Sequence, residues 1–148
     1  MGHSESSGFP MRAALATTPA QTKVKGIIQL EEGCINPSTL TAAQLAVLAK
    51  IPILIEYGSA DTTIPPPSMA CVTDRLGPNG DNISYSFCLT PGVGHEGVVR
   101  AQSSYVADWL ASQTMGEPAP APCSPGAGGQ LTDDAGTPLP CQTPPPNN

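Results

Sequence analysis

Short apolar runs and stretches of helical spacing alternate along the chain from residue 1 to residue 114. Val24-Lys25-Gly26-Ile27-Ile28-Gln29-Leu30 and Ile51-Pro52-Ile53-Leu54-Ile55-Glu56-Tyr57 are rich in β-branched residues. The second is almost continuously apolar, the pattern of a parallel strand covered on both faces. Pro52 stands at the start of its run, where a strand tolerates a missing N–H. Ile83, Tyr85, Phe87 and Leu89 alternate with Ser84, Ser86 and Cys88, a period of two that predicts a strand near a sheet edge with one face more buried than the other. Helical spacing covers Phe9 to Thr17, Thr41 to Lys50, Pro66 to Leu76 and Val99 to Gln113. In the last of these, Ala101, Tyr105 and Trp109 form one stripe with Val106 and Leu110 beside it. Strands and helices in alternation predict an α/β fold, with right-handed crossovers in a parallel sheet that has helices on both faces.

Composition limits this fold to part of the chain. Nine of the 18 prolines fall between Met115 and Asn148, a stretch without lysine, arginine or any aromatic residue. Too few large apolar groups remain there to offset the entropy of ordering, so residues 115–148 read as a disordered Pro/Gly-rich tail behind a domain at 1–114. Six basic residues against twelve acidic ones give a net charge of −6, without the basic cluster that nucleic-acid phosphates require. Nucleic acid is therefore excluded as an expected partner. No apolar run approaches the ~18 to 20 residues of a membrane span, and no basic region followed by an apolar core marks an export signal. The five cysteines and two histidines show no metal-ligand spacing, so neither a metal nor a cofactor is expected.

The residues capable of chemistry cluster where strands end. Gly2-x-Ser4-x-Ser6 has the spacing of a nucleophile elbow with serine in place of the second glycine. An elbow needs small residues two before and two after its nucleophile, because a sharp strand-to-helix turn packs those backbones together while lifting the hydroxyl clear. A serine-rich flank would carry the same spacing by chance, so the rest of the chain has to distinguish the two. Gly92-Val93-Gly94-His95-Glu96-Gly97 places a histidine on a glycine-rich loop between the last strand and the last helix, where a general base is required. The carboxylate that would orient it follows a strand end in two places, Glu31 after the first run and Asp61 after the second. In either case the chain order is Ser, acid, His.

These residues identify a resemblance. From Gly2 to Leu110 the chain looks like the C-terminal half of an α/β-hydrolase, running from the nucleophile elbow to the helix after the catalytic histidine. The phrases that carry it are Lys25 to Glu31, Pro52 to Gly58, Gly92-Val93-Gly94-His95 and Tyr105 to Leu110. It is most similar to a branch of bacterial, often exported esterases with a Gly-His-Ser-Gln-Ser-Gly type elbow. That branch takes its triad acid as a glutamate, which maps onto Glu31, whereas most of the superfamily uses an aspartate that maps onto Asp61; Glu31 is slightly preferred. Glu5 stands where the branch has glutamine and Ser7 where it has glycine, and neither change removes a catalytic group.

The resemblance implies a serine esterase in which Ser4 attacks an ester carbonyl, His95 acts as base and then acid, and the backbone amide of Glu5 contributes to the oxyanion hole. The fold so implied needs further strands before Met1, together with the loop that donates a second oxyanion-hole amide, so the chain reads as a truncated gene product, one with a misassigned start codon or a deliberately incomplete chain. Taken alone it is expected to be poorly folded and weakly active. A non-catalytic fragment or an exported Pro-rich interaction protein is the rival reading. The segment from Glu31 to Lys50 is too short for a large lid, which favours small or medium esters as substrates. In the full-length parent, extracellular or periplasmic, Cys34 and Cys71 are expected to form a disulfide, since loops at the same end of neighbouring strands can bring them within reach. Cys88 is expected to remain a buried thiol.

Overall fold

The computed structural model describes residues 1–3, 14–15, 24–30, 41–65, 67, 76, 83, 85–118 and 120. Among the described residues four strands lie side by side in chain order: β1 (Gly2–His3), β2 (Ile27–Leu30), β3 (Ile53–Gly58) and β4 (Ser86–Thr90). Every pairing is parallel, so all four strands end at the same edge of the sheet. The register runs straight across that edge, with His3 opposite Leu30, Leu30 opposite Glu56 and Glu56 opposite Cys88. β4 closes one end of the order, in keeping with its alternating pattern.

Alternation along β2 and β3 sends side chains into two separate apolar layers. Ile27, Ile53, Ile55 and Tyr57 join Leu48, Ile83 and Tyr85 in one, with Tyr57 and Phe87 in a tilted ring contact at 5.8 Å. Ile28, Leu30 and Leu54 join Val98 and Trp109 in the other. The first layer is covered by helix α1 (Ala42–Leu48), which links β2 to β3. Its start is fixed by the Thr41-Ala42-Ala43-Gln44 sequence as a capping box: the Gln44 N–H donates to Thr41 Oγ1 at 3.3 Å and the Thr41 N–H donates to Gln44 Oε1 at 2.8 Å.

The second layer is covered by α2 (Val98–Ala101) and α3 (Ser103–Met115), which together replace the single helix expected from Val99 to Gln113. The break falls at Gln102, whose φ of −103° and ψ of 8° are not helical and whose side-chain amide donates to Thr90 Oγ1 at 2.6 Å. It shifts the phase of one helix against the other. Val98 is consequently the buried residue of α2, whereas Ala101, read as part of the apolar stripe, is exposed, as is Leu110. Trp109 does reach the sheet, and its ring lies so close over Gly26 that an added Cβ would meet it at 2.8 Å. α3 ends at Gly116, in the left-handed region at φ +74°.

Cys88, expected as a free thiol, is fully buried on this face of β4 and disulfide-bonded. The expected helices over Phe9 to Thr17 and Pro66 to Leu76 lie mostly outside them too, with Ala14, Leu15, Pro67 and Leu76 helical where described. The tail beyond Pro120 is likewise outside. No helix among the described residues is long and apolar enough to cross a membrane.

Candidate active site

The turn after β3 and the loop after β4 are joined by backbone bonds that continue the sheet beyond its last paired residues. The Ser59 N–H donates to the Thr90 carbonyl at 2.9 Å and the Ala60 N–H to the Val93 carbonyl at 3.0 Å. A side chain adds a third tie, since Ser59 Oγ accepts the Gly92 N–H at 2.8 Å. Gly92 itself stands at φ +69°, a conformation that residues with a Cβ seldom adopt, and this lets the chain reverse immediately after β4. The two loops are thus held in register by bonds that involve neither Asp61 nor His95.

That register brings Asp61 and His95 together. His95 Nδ1 lies 2.8 Å from Asp61 Oδ2, with the Asp61 side chain fully buried and that of His95 only 11% exposed. The other carboxylate oxygen, Oδ1, accepts the N–H groups of Thr63 at 2.7 Å and Ile64 at 2.8 Å, an Asx-type turn in which the side chain stands in for a backbone carbonyl. Asp61 is held from both sides, by amides of its own turn and by the imidazole. His95 is held through Nδ1, and Nε2 is its second ring nitrogen. A buried carboxylate on one nitrogen is an arrangement able to fix the orientation of an imidazole.

Other candidate groups are placed by chain connectivity alone. Ser4 is the residue after His3, the end of β1, and Glu31 is the residue after Leu30, the end of β2. Ser4, Glu5, Glu31, Cys34 and Cys71 all lie outside the described residues. Among the described residues no cluster of His, Cys, Asp or Glu is arranged to hold a metal ion.

Two features of the site escaped the sequence reading. The Ser59 tie to Gly92 had no signal beyond a serine in a turn. Glu56 had one, an acidic residue inside the run Ile53-Leu54-Ile55-Glu56-Tyr57. It is fully buried, neither carboxyl oxygen has a hydrogen-bond partner, and burial pushes its pKa up from 4.5 to about 8. A cavity of about 280 Å³ lies at the opposite end of the sheet, lined by Ile51, Pro52, Ile53, Tyr85 and Trp109 among others, and is remote from His95. Comparison with protein-family models, with curated proteins and with solved structures finds no match, so the functional reading rests on residues and geometry.

Proposed function

We propose that the chain carries the catalytic half of a serine hydrolase of the α/β-hydrolase type, acting on small or medium carboxylic esters. The observation that carries this reading is the 2.8 Å bond between His95 Nδ1 and a buried Asp61 at the edge where all strands end. Ser4 follows the end of β1, Asp61 the end of β3 and His95 the end of β4. This sequence of strand ends agrees with the general form of the superfamily, in which the acid is an aspartate. Asp61 is accordingly assigned as the triad acid in preference to Glu31.

In the proposed reaction Ser4 Oγ attacks the ester carbonyl carbon while His95 Nε2 takes its proton. Asp61 holds the imidazole in the tautomer whose basic nitrogen is Nε2 and stabilises the imidazolium that forms. The backbone amide of Glu5 is assigned as a donor to the developing oxyanion by analogy with the superfamily. As the tetrahedral intermediate collapses, His95 returns the proton to the departing alcohol, and water then hydrolyses the acyl-enzyme by the same route. An extracytoplasmic setting belongs to the same reading and is supported by the disulfide at Cys88.

Covalent labelling by a fluorophosphonate probe, with the modified residue mapped by mass spectrometry, tests the assignment. The phosphonyl adduct is expected on Ser4, and it should disappear in Ser4→Ala and in His95→Gln. Undiminished labelling of Ser4→Ala would remove Ser4 from the mechanism.

A further inference from the structure

We propose that Glu56 is a proton-controlled latch between the sheet and helix α2, and so between the sheet and the loop that carries His95. The carboxyl lies on the same face of β3 as Leu54, in one row with Leu30 of β2 and Cys88 of β4, in the apolar layer beneath α2 and α3. It is completely removed from solvent and neither oxygen has a hydrogen-bond partner among the described residues. A neutral carboxyl can be held there at modest cost. A carboxylate in the same place has lost its water and received nothing in return.

Among the described residues no neighbouring charge relieves it. α2 carries Arg100 and α3 carries Asp108, both exposed, with the partly buried Tyr105 nearby on α3. His95 and Asp61 are bonded to each other in the loops above, Glu96 is exposed, and His3 belongs to β1, two strands away. β2 offers Leu30 at the facing position, and Cys88 of β4 is in a disulfide and does not titrate. Relief therefore has to come from water, and water reaches the carboxyl when α2 lifts from β3. Because the Gly97 N–H bonds to the Gly94 carbonyl and Gly97 leads directly into α2, that movement carries the His95 loop with it.

The direction with pH follows from linkage. With α2 open the carboxyl is hydrated and loses its proton near its ordinary value of 4.5; with α2 closed it keeps the proton to about 8. Between those values the open form binds fewer protons than the closed form. Opening therefore becomes easier with rising pH, by up to about tenfold per pH unit, and levels off above the upper value.

The proposal is independent of whether the chain is a hydrolase, and so is its test. Amide exchange of Ala101 and Gln102, whose N–H groups bond to the Gly97 and Val98 carbonyls, reports opening of α2 in the full chain. After correction for intrinsic rates, their opening constant should rise at least a hundredfold between pH 5 and pH 8, and in Glu56→Gln it should be flat. Equal pH dependence in the two proteins would overturn the proposal. Because Glu56→Gln could fail to fold, the Glu56 side-chain carbon is also followed by ¹³C NMR in the unmodified chain, assigned through its own backbone. Titration near 8 supports the latch, and titration below 5 overturns it.

Discussion

Glu56 and Asp61 belong to one strand-and-turn unit and both are withdrawn from solvent, yet one carboxyl is fully engaged and the other has no partner. The difference comes from the backbone around them. In the turn after β3, the amides of Thr63 and Ile64 are free of any ladder and point at the Asp61 carboxylate. In the middle of β3, the backbone is committed to β2 on one side and β4 on the other, so a side chain there can be satisfied only from the layer that covers it. That layer presents Leu30, Val98 and Trp109. A carboxylate in a turn can thus be oriented for chemistry by local bonds, whereas a carboxyl in a doubly covered strand becomes a proton store whose ionisation strains the fold.

The largest effect expected from breaking this contrast is at Asp61. Asp61→Asn keeps the shape but removes the acceptor that selects the imidazole tautomer, and in the serine-protease template the corresponding change costs roughly 10⁴-fold in rate. The rate of fluorophosphonate labelling at Ser4 should fall by that order in Asp61→Asn and by less than tenfold in Glu31→Gln. The reverse ranking would make Glu31 the acid.

Next is the global counterpart of the latch. The unfolded chain releases the Glu56 proton near 4.5 and the folded chain near 8, so stability should decline as pH rises between those values and then level off. Urea unfolding should show the folding constant falling by about two to three orders of magnitude more in the native protein than in Glu56→Gln over that range.

Gly26→Ala sharpens the comparison from above. Its Cβ would meet the Trp109 ring at 2.8 Å and push α3 outwards. Overpacking of this kind costs about 1–3 kcal/mol, to be read from urea titration. By loosening the cover it should also bring the Glu56 titration down towards the ordinary carboxyl range. Thr41→Ala is the contrasting change on the opposite face. It removes the capping box of α1 and should cost ~1 kcal/mol. The Glu56 titration should not move, because α1 covers the other layer.

How far all this was legible depends on whether a feature is local. The runs that became β2, β3 and β4 and the spacing that became α1 and α3 are local patterns, and they were found within a few residues of their bounds. The break at Gln102 was not legible, because apolar spacing runs through it unchanged and the cause is a bond to Thr90 at the end of β4. Strand ends alone did not separate Glu31 from Asp61, since each follows a strand, and the resemblance leaned to Glu31, whereas the acid bonded to His95 is Asp61. What brings Asp61 to His95 is that β3 and β4 are neighbours and their turns are tied through Ser59, an arrangement of strands that no window of residues records. The burial of Glu56 was half legible: its place in an apolar run was plain, but the absence of any partner in the covering helices was not.

The central claim is that Asp61 holds His95 by Nδ1 and so makes Nε2 the basic ring nitrogen. Long-range ¹H–¹⁵N correlation of the imidazoles in the full chain reads the tautomer directly at a pH where the ring is neutral, and His3 provides the only other histidine signal. The account predicts that His95 carries its proton on Nδ1, that Asp61→Asn abolishes this preference and that Glu31→Gln leaves it intact. A proton on Nε2 in the native protein, or a tautomer indifferent to Asp61→Asn, would contradict it.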